Sequence, residues 1–139
     1  MGAKMVNWKL IVIGSILTAI ISTILALILI VLEFRVEIAL WDAIGVFLAT
    51  IYVGYVVGRD YVTDGAIYGM IIGVIGGMIG FSIIWTIYGG VLSQLIAVMS
   101  ISILFGIIYG VIGAIGGLIG GFIIKWKSSK EEKIESQSD

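Results

Sequence analysis

The chain contains no cysteine, no histidine and no proline, and each absence excludes a class of structure or chemistry. Without cysteine and histidine there are no disulfides, no thiolate catalysis and no structural zinc site with the usual ligands. Without proline, long apolar helices are expected to run straight, because proline is a frequent cause of kinks in helices. We therefore expect no metal and no cofactor, and we expect continuous helices.

Charged residues are also scarce. They make up 12% of the 139 residues, whereas hydrophobic residues make up 60%, and the mean hydropathy is +1.22. A soluble domain is usually about a quarter charged, so much of this chain must be surrounded by lipid. The net charge of −1 offers no basic patch, and we therefore expect no nucleic-acid partner.

What the sequence has instead is long apolar segments separated by charges. Four segments are each long enough to cross a bilayer, which takes about 20 residues: 10–32, 39–58, 65–88 and 95–124. Their short connections favour antiparallel neighbours. The sequence thus predicts an all-α membrane protein, a four-transmembrane-helix antiparallel bundle with one domain over 1–126. The polar tail, 127–139, is expected to be solvated and partly disordered.

The positive charges fall unevenly on the two sides of such a bundle. One side has Arg35. The other side has the cations of both termini and of the second linker: Lys4, Lys9, Arg59, Lys125, Lys127, Lys130 and Lys133. Because cytoplasmic loops carry the excess of Lys and Arg, we expect a multi-pass protein of the cell membrane with both termini in the cytoplasm.

Glycine repeats every three or four residues in the last two segments. The expected helix-packing residues are Gly65, Gly69, Gly73, Gly77, Gly80, Gly106, Gly110, Gly113, Gly117 and Gly121. Residues four apart lie on one helix face, and a glycine face lets two helix backbones approach closely in lipid. This pattern predicts glycine-zipper (GxxxG) packing, either within one chain or between chains.

Three segments carry a family resemblance: Met5–Lys9, Val53–Gly58 and Asp64–Gly69. They resemble a domain-of-unknown-function family of small archaeal, largely methanogen, four-span membrane proteins, and the resemblance extends to about Phe122. It implies the four-span topology and no particular activity. The glycine spacing is also similar to that of the glycine-zipper subunits of mitochondrial protein import, a likeness that reflects shared packing physics.

Three acids near the predicted spans are the candidate functional residues: Asp42, Asp60 and Asp64. An ionisable residue within a span favours a functional site. Asp42, however, follows Trp41 at the start of the second span, where an acid also suits the positive end of the helix dipole. We expect this second role for Asp42. Asp64 or Thr63 is expected to cap the third helix.

Other polar groups have a functional and a structural interpretation, and we expect the structural one. Glu33 and Glu37 have the spacing to hold a hard cation, but with Arg35 nearby a solvated loop is expected. Hydroxyl groups in the spans either line a polar path or bond to neighbouring helices and backbone: Tyr52, Tyr55, Tyr68, Tyr88, Tyr109, Ser82, Thr86, Ser100 and Ser102.

These patterns favour a structural or accessory membrane protein that self-associates or packs into a larger membrane complex. The alternative is an oligomeric channel or permeation path for a small solute. No nucleophile–base pair and no phosphate-binding loop stands out in the sequence, so we expect no enzyme. The absence of an obvious buried charge argues against an ion-coupled transporter.

Overall fold

A computed structural model describes residues 7–32, 38–89 and 95–138, and in these ranges the protein is all-helical. The four helices are α1 (Trp8–Val31), α2 (Ile38–Val57), α3 (Val62–Gly89) and α4 (Leu95–Ser138). Each is long and apolar enough to cross a membrane, which confirms the predicted fold class. Glu33, Arg35 and Glu37, together with the connection at 90–94, lie outside the described residues.

The helix ends follow local sequence signals. Asn7 precedes α1, and its side-chain oxygen accepts a hydrogen bond (3.2 Å) from the backbone N–H of Lys9, as an N-cap residue does. α3 begins at Val62, so Thr63 and Asp64 lie inside its first turn. The prediction that one of them caps α3 is therefore wrong, although Asp64 still lies near the positive end of the helix dipole.

The helices form a bundle in which α2 and α3 separate α1 from α4. α1 packs against α2 and α3, and α4 packs against the same two helices, with the α3–α4 contact being the most extensive. Large aliphatic side chains of α1 such as Ile13 and Ile16 are about half exposed, whereas Thr18 and Ser22 are fully buried. Small and hydroxyl-bearing residues thus face the bundle, as expected for helices that pack in lipid.

α4 differs from the prediction at its C-terminal end. The segment expected to be partly disordered continues the helix to Ser138. Residues 129–134 are exposed, and the Lys130 ammonium group lies 4.3 Å from the centroid of the Trp126 ring. Lys and Glu are good helix formers, and a helix already nucleated inside the membrane extends more easily than one that starts in water.

Candidate functional site

The predicted packing glycines lie between helices of the same chain. Close backbone contacts join α2, α3 and α4 at four of them and at Gly54, and we call these five residues the glycine contact region: Gly54, Gly65, Gly69, Gly113 and Gly117. A Cβ atom added at Gly65 would lie 2.5 Å from the carbonyl oxygen of Gly117, and one added at Gly69 would meet the carbonyl oxygen of Gly113. Only glycine fits at this spacing, and Cα–H···O contacts become possible.

The remaining predicted glycines extend these contacts in both directions. Gly73 faces the backbone of Tyr109 and Gly110, and Gly121 faces Val62. Gly106 and Gly110 face flexible or branched side chains of α3, those of Met78 and Val74. At the other end of α3, Gly77 makes room for the Tyr109 ring and Gly80 makes room for the Asp42 carboxyl group.

The Asp42 side chain is fully buried, with a relative exposure of 0%. The expectation that the spans contain no buried ionisable residue is therefore wrong, whereas the role of Asp42 at the positive end of the helix dipole stays a prediction. Asp42 is buried because it lies on the inward-facing side of α2. Val46, Ala49 and Val53, which follow it by four, seven and eleven residues, are also buried. Asp42 thus points into the bundle although it lies only four residues after the start of α2.

Four residues from four helices meet at this point, and we call them the Asp42 cluster: Ser22, Asp42, Gly80 and Tyr109. A Cβ atom added at Gly80 would lie 2.5 Å from Oδ1 of Asp42 and 3.5 Å from Cβ of Ser22. The hydroxyl groups of Ser22 and Tyr109 lie close enough to the Asp42 carboxyl group to interact with it. Yet Ser22 Oγ and both Asp42 oxygens are buried without a hydrogen bond of ordinary geometry.

The cluster lies well inside the apolar length of the bundle. Ser22 precedes Ile28, the end of the apolar span of α1, by six residues, and Gly80 precedes Thr86, the end of the apolar span of α3, by the same number. At 1.5 Å per residue this is about 9 Å inside the spans of α1 and α3, whereas Asp42 itself lies two residues after Leu40, where the apolar span of α2 begins. Such a position is costly for a charge in lipid.

Aromatic rings flank the cluster on α3 and α4. The ring centroids of Phe105 and Tyr109 are 5.9 Å apart, and those of Phe81 and Phe105 are 4.7 Å apart. Phe81 also stacks with Trp85 at 5.9 Å. Because the stack runs from Tyr109 toward the C-terminal end of α3, it packs apolar surface between the carboxyl group and that end of the bundle.

The other hydroxyl groups are not brought together into one polar path in the described part of the chain. Tyr52, Thr86 and Ser100 are exposed on the outside of the bundle, whereas Tyr109 and Ser102 are buried. Ser82 donates a hydrogen bond to the carbonyl of Met78 and lies 3.2 Å from the Ser102 hydroxyl. The side chain of Tyr88 lies outside the described residues.

Asp60 and Asp64 lie at the other end of α2 from Asp42. Asp60 is exposed in the turn after α2, and Asp64 is half-buried in the first turn of α3. From Asp42 to Val57 the helix continues for 15 residues, which is about 22 Å. The three candidate acids therefore do not form one site, and the described residues include no group of three acids that could hold a metal ion.

An apolar groove of about 530 Å³ runs between α1 and α3. Isoleucines of both helices line it, including Ile16, Ile20, Ile75 and Ile79, and so does Ser15. Asp42 and Tyr109 are not among its lining residues. The groove is thus separate from the Asp42 cluster.

The family of unknown function DUF5518 matches residues 8–123. The chain belongs to this family. No curated protein and no solved structure matched the chain. DUF5518 membership covers all four apolar helices and agrees with the predicted resemblance to a family of unknown function, but it assigns no activity to the Asp42 cluster.

Sequence reasoning missed most of this cluster. It named Asp42 but not its partners Ser22 and Tyr109 as a unit, and it read Gly80 as a helix-packing residue. A signal was present in α2: Asp42 shares its helical face with the small and apolar residues Gly45, Val46 and Ala49, all of which are buried. That periodicity would have placed the acid inside the bundle.

Proposed function

We propose that the chain is a membrane protein that binds a small cation at Asp42, inside its helix bundle, as part of a permeation pathway. The observation that supports this is the fully buried carboxyl group within the apolar length of α1 and α3. Ionisable residues inside membrane spans are costly and commonly mark ion pathways. Because Asp42 is buried, the absence of a buried ionisable residue no longer excludes an ion-coupled transporter.

The packing favours permeation through helix movement rather than through an open pore. In the described part of the bundle, buried hydroxyl groups such as Thr18 and Thr50 donate to carbonyls of their own helices. The most extensive contact, between α3 and α4, contains the glycine contact region. We therefore assign the movement to α1, which can separate from α2 and α3 while that contact stays intact.

Flux into liposomes tests this function. The purified protein is reconstituted, and entry of protons, sodium and potassium is followed with ion-sensitive dyes. We expect flux of one of these cations above that of empty liposomes, and we expect Asp42→Asn to abolish it. Asp64→Asn is the matched control, because Asp64 lies in the first turn of α3, and it should keep the flux. If wild-type protein conducts no cation, the proposed function is wrong.

A second candidate function, that of an accessory subunit, is favoured by the end of α4. The helix continues past the apolar region as an exposed extension, with Trp126 65% and Ile134 68% exposed. The described interior glycines face helices of the same chain, so a partner would contact this extension rather than a glycine face. The partner is either a second copy or another membrane protein. The mass and composition of the protein purified in mild detergent distinguish the two.

The orientation of the chain and its other expected properties stay predictions. We place both termini in the cytoplasm, next to the cell membrane, because Lys125, Lys127 and Lys130 are exposed on the α4 extension. Since the chain has no cysteine, labelling of a Ser129→Cys variant from one side of the membrane tests this. Glycine-zipper packing as a family trait, an archaeal origin and the absence of enzymatic activity also stay predictions.

A further inference from the structure

The groups around the Asp42 carboxyl group determine which cation it can bind. The groups that face it come from all three other helices: Ser22 from α1, Gly80 from α3 and Tyr109 from α4. Among these, Tyr109 is the one titratable group, and its phenol is neutral at ordinary pH. In the part of the chain that the structure describes, no Lys or Arg side chain bonds to either carboxylate oxygen.

The Asp42 cluster has little space and few oxygen ligands for a metal ion. A Cβ atom at Gly80 would already lie 2.5 Å from Asp42 Oδ1, and one at Gly45 would meet Ser22 Oγ. Hard cations take about six oxygen ligands, whereas two hydroxyl groups and one carboxyl group are available here. The groove between α1 and α3 does not reach the carboxyl group.

A proton needs neither space nor additional ligands. A buried acid without a charged partner is far less costly when neutral than when ionised. The neutral form has one O–H donor and keeps acceptor capacity, which matches two hydroxyl neighbours that can each donate or accept. Ser22 and Tyr109 are thus suited to hold a protonated carboxyl group between them.

We infer that Ser22, Asp42 and Tyr109 form a proton-binding site inside the membrane bundle, with Asp42 carrying the proton. This inference rests on the proposed function and deepens it by naming the cation. The proton resides on the Asp42 carboxyl group in the closed bundle. It leaves to water when α1, which carries Ser22, separates from α2.

Two readouts report the protonation of Asp42 directly. Infrared spectroscopy detects the C=O stretch of a protonated carboxylic acid, and a hydrophobic carbodiimide attaches covalently to protonated carboxyl groups in apolar surroundings. At near-neutral pH, we expect wild-type protein to show the acid band and to gain the mass of one carbodiimide at Asp42. Asp42→Asn should lose both signals, whereas Asp64→Asn should keep both.

Three further outcomes sharpen the test. Tyr109→Phe and Ser22→Ala should shift the frequency of the acid band without removing it, because each removes a hydrogen-bonding neighbour. Sodium, potassium and calcium should leave carbodiimide labelling unchanged. Thermal stability of the wild type should fall as the pH rises, because ionisation puts a charge in the interior, and Asp42→Asn should not show this fall.

The proton assignment and the proposed function fail in different ways. If the acid band and the labelling are present but no proton enters liposomes, the proton site stands and the permeation function is wrong. If sodium or potassium flux occurs, and that ion blocks labelling of Asp42, the function stands and the proton assignment is wrong. If Asp42 shows no acid band in folded protein at near-neutral pH, the proton assignment is wrong in that case too.

Discussion

In the glycine contact region, α2, α3 and α4 touch backbone to backbone, whereas in the Asp42 cluster four helices meet through polar side chains. Glycine has opposite structural roles in the two regions. Gly65 and Gly69 bring helices together, so no side chain fits between them. Gly80 keeps space for a carboxyl group. The difference shows that a repeated glycine in an apolar helix can mark either a tight contact or the wall of a site.

A substitution in the glycine contact region should cause the largest loss of stability of the bundle. A side chain at Gly117 would collide with the carbonyl of Gly65 on α3, and the backbone of Gly117 is itself the nearest neighbour of Gly54 on α2. Because backbone cannot move aside as a side chain can, we expect Gly117→Leu to destabilise the bundle by more than about 3 kcal/mol. Thermal unfolding in detergent measures this.

The matched control for that variant is Ile115→Leu, two residues away on the exposed face of α4. It should change stability by less than about 0.5 kcal/mol. Equal stability of Gly117→Leu and wild type would show that the glycines do not hold α4 against α2 and α3.

Filling the space beside the Asp42 carboxyl group should have an intermediate effect on the stability of the bundle. Gly80→Ala places a methyl group 2.5 Å from Asp42 Oδ1 in the present geometry, and we expect a loss of about 1–3 kcal/mol. In an Asp42→Ala background the same change should cost at least about 0.5 kcal/mol less, because the smaller side chain removes the collision. Additive effects of the two substitutions would contradict direct contact between these residues.

Removing a hydroxyl group near the cluster should have a small effect. Ser102 lies 3.2 Å from the Ser82 hydroxyl, and Ser82 also donates to the carbonyl of Met78. Hydrogen bonds between membrane helices contribute about 0.6 kcal/mol on average, so Ser102→Ala should lower stability by about that amount. Chemical denaturation in mixed micelles resolves a difference of this size. A loss above about 2 kcal/mol would mean that Ser102 belongs to a larger polar network.

Removing the α4 extension should have the smallest effect on the isolated bundle. Residues 129–134 are exposed, so deletion of 128–139 removes no buried contact in that stretch. We expect a change in stability below about 0.5 kcal/mol, while any stoichiometric partner should be lost from the purified protein. A large loss of stability in detergent would show instead that the extension supports the bundle itself.

The sequence predicted the four helices because lipid demands long apolar segments with internally satisfied backbones. It also predicted many of the glycines that lie between helices, since their spacing of three or four residues is periodic, but it left out Gly54, Gly116 and Gly120. It misplaced Asp42, because proximity to a helix start in sequence does not give the depth of a residue when neighbouring helices extend further. Ser22 lies on α1 and Tyr109 on α4. Their meeting with Asp42 depends on tertiary packing, which no local pattern encodes.

The exposed C-terminal part of α4 has a mechanical consequence. The helix is 44 residues long, and the 17 residues that follow Gly121, the last of the packing glycines, correspond to about 26 Å of stiff rod. If α3 and α4 tilt together by about 5° when α1 separates from α2, the far end of this rod moves by about 2 Å relative to Gly121. A rearrangement around a single buried carboxyl group is thereby converted into a displacement outside the membrane, where another protein can detect it.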